Sequence, residues 1–137
     1  MRARGIAAGA AALLLAGCAQ PAPPACTPPL RPAIAYDLYF GRDRADGREV
    51  TESEWAAFLA EVVTPRFPDG LSVLDVQGQH RPQAGGPIVR ERSKLLVLVV
   101  FDAAGQRARL DEIAAAYRQR FGQEAVFRVE KAVCAGA

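Results

Sequence analysis

The stretch SKLLVLVVF, residues 93–101, decides the architecture, because it is wholly apolar from residue 95 onward. A short apolar run rich in β-branched residues predicts a strand that is buried in a sheet. Side chains alternate along a strand, so each face of this one carries its own apolar row. One row is Leu96, Leu98 and Val100, and the other is Leu95, Val97, Val99 and Phe101.

Three further strands are predicted around this one. Residues 33–40, AIAYDLYF, alternate apolar and other positions, which is typical of a half-buried strand. Residues 71–77, LSVLDVQ, follow a Pro-Asp-Gly turn signal and predict a second strand. Residues 125–133, AVFRVEKAV, predict the last strand, in which Phe127 and Val129 share one face.

Two helices are predicted between the strands. The first covers residues 51–62 and begins at a capping box, in which Thr51 is the N-cap and Glu54 stands three residues later. The second covers residues 106–121 and ends before Gly122, because glycine commonly terminates helices. Both segments place their apolar residues at helical spacing, so each is predicted to pack one stripe against the sheet.

The predicted order is β-α-β-β-α-β, which indicates an α+β protein. Helical crossovers make the first and second strands parallel, and the third and fourth strands parallel. The ferredoxin-like two-layer sandwich interleaves these pairs into an antiparallel four-stranded sheet, with both helices on one face. In that arrangement the fourth strand lies antiparallel beside the first.

Residues 1–17 have the features of a lipoprotein signal peptide. Arg2 and Arg4 form a short positive region, and the apolar run 6–16 is shorter than the roughly 20 residues that span a bilayer. The run ends in Leu-Ala-Gly-Cys, which resembles the bacterial lipobox, so Cys18 is the predicted lipidation site. Acyl chains there would anchor the protein in a membrane, and Ala19 favours the outer membrane, facing the periplasm. The alternative is an ordinary signal peptide with a chance cysteine.

Residues 18–32 are predicted to be a lipidated proline-rich tether, and residues 33–134 a single α+β domain. Residues 20–32 hold six of the ten prolines. Proline fixes φ and lacks an N–H, so this segment is predicted to be extended. A domain of roughly 100 residues has the usual size for one hydrophobic core.

The charge balance argues against a nucleic-acid partner. The chain has 17 Lys and Arg against 15 Asp and Glu, and removal of Arg2 and Arg4 with the signal peptide leaves 15 against 15. A protein without net positive charge is poorly suited to follow a phosphate backbone.

Cys26 and Cys134 are the two cysteines that remain once Cys18 is acylated. An oxidising compartment and an even number of cysteines favour a disulfide. The predicted topology brings the start of the first strand beside the end of the fourth, so both cysteines leave the sheet at the same end. Two unpaired thiols on mobile tails are the alternative.

Five stretches of the domain are LYFG, EW..FL, VTPRFPDGLSVLDVQGQ, E.SK.L and AAYRQRFGQE, and they extend over roughly residues 36–130. Through them the chain resembles a family of bacterial lipoproteins, domain-of-unknown-function family 3574. The resemblance implies a lipoprotein with one compact domain. It transfers no activity, substrate or catalytic residue.

A candidate polar cluster, formed by Asp75, Gln77, His80 and Glu91, lies where the second strand ends and the third begins. If His80 pairs with Ile88, then Gln77 faces Glu91. A carboxylate pair could perform acid-base chemistry if one pKa were raised. A hydrated hairpin tip is the favoured interpretation, because polar strand ends are usually exposed.

No metal and no cofactor are expected. His80 is the only histidine, and the chain lacks CxxC, HExxH, GxSxG and P-loop patterns. No catalytic residue is therefore assigned.

Three classes of function stay open. The first is an envelope lipoprotein that is a non-catalytic binding or assembly module, with an unknown protein or small-molecule partner. The second is a small enzyme of the dimeric α/β-barrel kind, using Arg66, Asp75, His80 or Glu91. The third is a carrier of a small apolar ligand.

A homodimer is also predicted. In a ferredoxin-like unit one sheet face has no helix over it, yet both faces of strand 93–101 are apolar. Packing of two copies sheet against sheet would cover the bare face. The alternative is an intrachain cover formed by the tether or by the loop 81–87.

Overall fold

The computed structural model describes residues 25–81, 83–102 and 104–137. The elements in chain order are β1 (Arg31–Gly41), α1 (Glu52–Phe58), a π-helical turn (Leu59–Val63), β2 (Ser72–His80), β3 (Val89–Val100), α2 (Gln106–Phe121) and β4 (Phe127–Ala135). The predicted signal peptide 1–17, the lipidation site Cys18 and residues 19–24 of the predicted tether lie outside the described residues. Among the described helices, none has the length and apolar character needed to cross a membrane.

The four strands form one sheet in the order β2-β3-β1-β4, and every neighbouring pair is antiparallel. β1 and β3 are the central strands, and β4 lies beside β1 as predicted. The buried residues of both helices pack against the same row of β1 and β3 side chains. The predicted ferredoxin-like α+β fold is therefore confirmed.

The hairpin of β2 and β3 is longer than its hydrophobic pattern predicts. β2 continues to His80 and β3 begins at Val89, whereas the last residue of β1, Gly41, pairs with Ser93. The outer part of the hairpin therefore projects past the end of β1. Apart from Val89, no large apolar residue occurs there, and no core lies beneath it. The alternation that marks a half-buried strand is therefore missing.

The first helix begins at the predicted capping box. The Thr51 hydroxyl accepts a hydrogen bond from the Glu54 backbone N–H, and the Glu54 carboxylate accepts one from the Thr51 backbone N–H at 2.9 Å. That backbone bond, together with Arg44, lowers the pKa of Glu54 to about 2. The last turn is π-helical, because the Thr64 N–H bonds to the Leu59 carbonyl at 2.8 Å. Pro65 follows and has no N–H with which to continue the helix.

The core lies between the helices and the even-numbered residues of β1 and β3. Its centre is a cluster of aromatic rings, with the Phe40 and Tyr117 ring centroids 4.7 Å apart and edge-to-face. The Tyr117 hydroxyl donates a hydrogen bond to the Gly41 carbonyl at 2.9 Å, which ties α2 to the end of β1. The main buried side chains are Tyr36, Leu38, Phe40, Trp55, Phe58, Leu96, Leu98, Leu110, Ile113, Tyr117 and Phe121.

Cys26 and Cys134 form the predicted disulfide, with their Cα atoms 5.6 Å apart. Pro32 pairs with Cys134 in the β1–β4 ladder, so the bridge closes the end at which both chain termini leave the sheet. The core residues and the disulfide all belong to residues 26–134. A soluble form that lacks residues 1–18 keeps this core and this disulfide, so we expect it to fold on its own.

Reduction of this disulfide is expected to destabilise the domain by about 4–5 kcal/mol, because the bridge closes a loop on the order of 100 residues. The measurement is urea unfolding of the soluble form with and without dithiothreitol. The Cys134→Ser variant is the control, since its midpoint should be low in both conditions. Equal midpoints for the oxidised and reduced parent protein would contradict the prediction.

Candidate binding surface

The face of the sheet opposite the helices, here called the open face, carries a broad apolar row. Odd-numbered residues of β1, β3 and β4 point to it, together with even-numbered residues of β2. Its most exposed members are Phe127 at 66 %, Leu74 at 47 %, Phe101 at 46 % and Val99 at 43 %. The others along its centre are Val76, Leu95, Val97 and Val129.

No described segment covers this face. Residues 25–30 pack at the β1–β4 end, where Cys26 is bonded to Cys134, and Leu30 is itself 40 % exposed. The part of the loop 81–87 that the structure describes likewise leaves Leu74 and Val99 open to solvent. The described residues therefore leave Leu74 and Val99 uncovered, whereas Ala33 and Ala35 at the end near the termini are buried. Residues 18–24 of the predicted tether lie outside the described residues.

Charge on the open face is sparse near its centre. Lys131 of β4 donates a hydrogen bond to Asp37 of β1 at 2.6 Å, so these two charges neutralise each other. At the end near the chain termini, the Arg31 guanidinium lies 4.0 Å above the centre of the Phe101 ring. Such a contact holds a cation flat against an aromatic surface.

The predicted pairing of the β2–β3 hairpin is wrong by one residue. His80 pairs with Val89 rather than Ile88, and Gln77 faces Arg92 rather than Glu91. A shift of one residue exchanges the two faces of a strand. The observed register puts Val73 beside Leu96 in the core, which the predicted register would not.

The four residues of the candidate polar cluster are therefore divided. Asp75 and Gln77 lie on the side of the sheet that carries the helices, whereas His80 and Glu91 lie on the open face. Arg66, the fourth candidate of the enzyme hypothesis, donates a hydrogen bond to Glu112 of α2 at 3.0 Å and lines a different cleft from that of Glu91. The structure does not bring these side chains together into one site.

Asp75 belongs instead to a charge network around two buried cations. Lys94 is 3 % exposed, and its ammonium lies 2.8 Å from Glu52 and 2.5 Å from Asp75. Arg42 is 5 % exposed, bonds to Glu52 at 2.7 Å and donates to the Val50 carbonyl. Two buried cations thus pair with carboxylates at the edge of the core. Because Glu52 belongs to α1, these ion pairs fix that helix to the sheet.

The network holds its carboxylates in the ionised form. The hydrogen bonds from Lys94 lower the pKa of both Asp75 and Glu52. Burial pushes the pKa of Lys94 downward, but the bonds to the two carboxylates outweigh it and the net shift is upward. The acid-base hypothesis required a raised carboxyl pKa, so Asp75 is unsuited to it.

A second polar feature, here called the acidic cleft, lies where β1, β3 and the end of α2 meet. Three carboxylates line it, from Asp43, Glu91 and Glu124, together with Arg44, whose guanidinium is paired with Glu54. The cleft has a volume of about 480 Å³. Its apolar wall is the Tyr39–Phe127 pair, whose ring centroids are 5.8 Å apart.

Glu91 is held in the cleft by the absence of a side chain at Gly41. Its carboxylate occupies the space that a Cβ at position 41 would need. The Asp43 backbone N–H donates to Glu91 Oε1 at 3.3 Å. The Gln123 side chain donates to the Asp43 carbonyl at 2.6 Å and fixes the end of α2 over the cleft. These contacts fix the position of the Glu91 carboxylate, and none of them supplies a positive charge.

Sequence reasoning missed the buried cations and most of the acidic cleft. Lys94 shares the period-2 alternation of Leu96 and Leu98, and that signal could have placed it on the core side. For the cleft, the signal present in the sequence was the set of stretches that resemble the family. Three of its stretches, LYFG, E.SK.L and the RFGQE end of the last one, meet at the acidic cleft.

The sequence profile described as "Protein of unknown function (DUF3574)" matches residues 35–136. The chain belongs to this family. The match covers nearly the whole folded domain. The family predicted from the sequence resemblance is therefore confirmed. No curated protein matches the chain.

Comparison with solved structures gives three similar chains. A phage SAM lyase in complex with S-methyl-5'-thioadenosine has a TM-score of 0.57 and 15 % identity, over 77 % of this chain and 90 % of that one. The phage SAM lyase in its apo state has a TM-score of 0.54 and 13 % identity, over 76 % and 89 %. CutA from Synechococcus elongatus PCC7942 has a TM-score of 0.48 and 13 % identity, over 76 % and 80 %. At these identities the lyase likeness shows the fold alone.

Asp75→Asn is expected to reduce the loss of stability on acidification. A carboxylate whose folded pKa is lowered stabilises the protein above about pH 4, and that contribution is lost as the pH falls through the folded pKa. The variant lacks this contribution, so its unfolding free energy should lie below that of the parent at pH 7 and approach it at pH 3. Urea unfolding at both pH values measures this.

Asp69→Asn is the matched control, because Asp69 has no ion-pair partner among the described residues. Its pH profile should follow that of the parent. If Asp75→Asn also follows the parent profile, the ion pair with Lys94 contributes no pH-dependent stability.

Proposed function

We propose that this protein is a lipid-anchored, non-catalytic assembly module of the bacterial envelope, and that its domain works as a homodimer through the open face. The observation that carries the proposal is the bare apolar row of that face. Exposed apolar patches that are rimmed by polar residues often mark interaction sites on soluble proteins.

The dimensions of the open face suit a dimer. Four strands spaced by about 4.8 Å give a width of about 19 Å, and about nine residues of strand give a length of about 30 Å. Two such faces would bury about 1,100 Å² together, which exceeds the roughly 1,000 Å² expected of a specific interface. Aligned sheet-on-sheet packing of this kind is common in proteins.

The chemistry of the face also favours a second copy over a substrate. Its centre is apolar, and its one central ion pair, Lys131 with Asp37, is satisfied within the chain. A two-fold contact needs a surface that complements itself, and a flat apolar sheet does so. The enzyme alternative needed Asp75, His80 and Glu91 in one place, and their separation favours a binding role.

The envelope location of the proposal rests on the sequence. The positive region, the short apolar run and the lipobox-like residues before Cys18 occur in the order of a lipoprotein signal. The chain belongs to the DUF3574 family. The resemblance to this family was the second reason to expect a lipoprotein.

Val99→Lys is expected to weaken the dimer at least tenfold, because it places a charge within an apolar contact, at a cost of more than about 1.4 kcal/mol. Val99 is 43 % exposed in the single chain, so the unfolding free energy should change little. Sedimentation of the form without residues 1–18 at high micromolar concentration measures the association.

Ala115→Lys, an exposed position on α2, is the matched control and should leave the dimer intact. A parent protein that sediments only as a monomer at that concentration would overturn the assembly proposal.

Cys18→Ala is expected to abolish acylation and release the protein from the membrane fraction. The measurement is labelling of cells with a fatty acid, followed by detergent phase partition. Cys26→Ala serves as the control and should still be labelled. A Cys18→Ala protein that keeps the label would show that the lipobox interpretation is wrong.

A further inference from the structure

The open face carries unpaired charges of opposite sign at its two ends. Most side-chain carboxylates of the domain lie in ion pairs, but no described cation lies within 4.0 Å of Asp43, Asp69, Glu91, Asp102 or Glu124. Three of these five, Asp43, Glu91 and Glu124, line the acidic cleft. Likewise, none of the described carboxylates forms an ion pair with Arg31, which lies over Phe101.

The two features are separated by the length of β3. Glu91 stands near its beginning and Phe101 directly after its end, about 33 Å away at 3.3 Å per residue. Arg31 therefore cannot reach the acidic cleft of its own chain. The apolar centre of the face, at Leu95 and Val97, lies midway between the cation and the carboxylates.

Two symmetric ways of packing the open faces differ in which charges they bring together. If the two-fold axis runs along the strands, each end meets its own copy, so Glu91 faces Glu91 and Arg31 faces Arg31. If the axis runs across the strands at the level of Val97, the strands of the two copies are antiparallel and each end meets the opposite end. Juxtaposed like charges weaken an interface, whereas opposite charges stabilise it and fix its register.

We propose that the dimer is antiparallel and that Arg31 of each copy enters the acidic cleft of the partner, where it meets Glu91 and Asp43. The proposal rests on the proposed function, because it specifies the register of that homodimer. The aromatic rings match as well. Phe101 lies beneath Arg31, so in this dimer it would approach the partner's apolar wall formed by Tyr39 and Phe127. Each dimer would contain this contact twice.

The acidic cleft fits a guanidinium better than a metal ion. Within the described residues no group of three or more His, Cys, Asp and Glu side chains is arranged to hold a metal. A guanidinium is planar, forms forked hydrogen bonds with carboxylates and stacks on aromatic rings, and the cleft offers both kinds of partner.

Charge reversal in the soluble form without residues 1–18 tests the register. Arg31→Glu and Glu91→Arg, each alone, are expected to weaken the dimer at least tenfold in sedimentation equilibrium at low salt. The two substitutions combined in one chain should restore association to within about threefold of the parent, because the pair re-forms with its signs exchanged. The effect of each single variant should shrink at high salt.

Arg118→Glu is the matched control, because Arg118 is an exposed arginine on α2 without an ion-pair partner among the described carboxylates. It should leave the dimer unchanged. Because Glu91→Arg also disturbs the packing at Gly41, Asp43→Asn provides a milder removal of charge from the same cleft. It should weaken the dimer less than the reversals do.

A cross-link provides a readout that does not depend on affinity. Chains with Arg31→Cys mixed with chains carrying Glu91→Cys should form a disulfide-linked dimer under mild oxidation, whereas either variant alone should form far less. This result would support the antiparallel register.

The two proposals fail in different ways. A parent dimer that tolerates both single reversals and gives no mixed cross-link would overturn the register but leave the sheet-face dimer standing. A parent protein that is monomeric throughout would overturn the dimer, and this inference with it.

Discussion

The structure depends on the placement of both helices on one face of the sheet. Each helix connects two parallel strands across a third, and such crossovers are almost always right-handed. With the strand order β2-β3-β1-β4, that handedness places α1 and α2 on the same side. The side they cover receives Tyr36, Leu38 and Phe40 of β1, and the opposite side receives none of the helices' apolar residues. The open face is thus a consequence of the topology rather than a local peculiarity.

Much of this fold could be predicted from the sequence because its signals are local. The alternation in β1, the capping box of α1, the stripe of α2 and the turn before β2 each depend on a few neighbouring residues, and each is present in the structure. The disulfide followed from the topology, since a β4 beside β1 brings Cys26 and Cys134 to one end.

The hairpin register could not be predicted in the same way. The residues between His80 and Val89 form a loop too long to fix the pairing, and the outer strand residues are polar on both faces. The register is decided by a contact further along, where Val73 enters the core beside Leu96 and Asp75 meets Lys94. The predicted pairing was wrong by one residue, which exchanges the two faces of the strand. It therefore grouped polar side chains that the structure places on opposite faces.

The buried cations show how the fold uses charge at the edge of its core. Burial of Lys94 and Arg42 without partners would cost several kcal/mol, so each needs a carboxylate within hydrogen-bond distance. Glu52 supplies one to both, at 2.8 Å and 2.7 Å. Because Glu52 is in the first turn of α1, the same contacts that neutralise the cations also set where that helix lies on the sheet.

The disulfide, the proposed anchor and the proposed dimer place geometric demands on one another. Cys26 is bonded at the Arg31 end of the sheet, so in an antiparallel dimer the two chains would leave towards the membrane from opposite ends, more than about 30 Å apart. Cys26 is eight positions after Cys18, and eight residue steps span at most about 28 Å. Two anchors of that reach can enter the same bilayer if the two-fold axis points along the membrane normal and one edge of both sheets faces the lipid. An axis across the strands satisfies this condition, because it leads from one edge of the paired sheets to the other.

The bridge at Cys26 would then do more than stabilise the domain, since it fixes the point from which each tether starts and so the orientation of the dimer on the membrane.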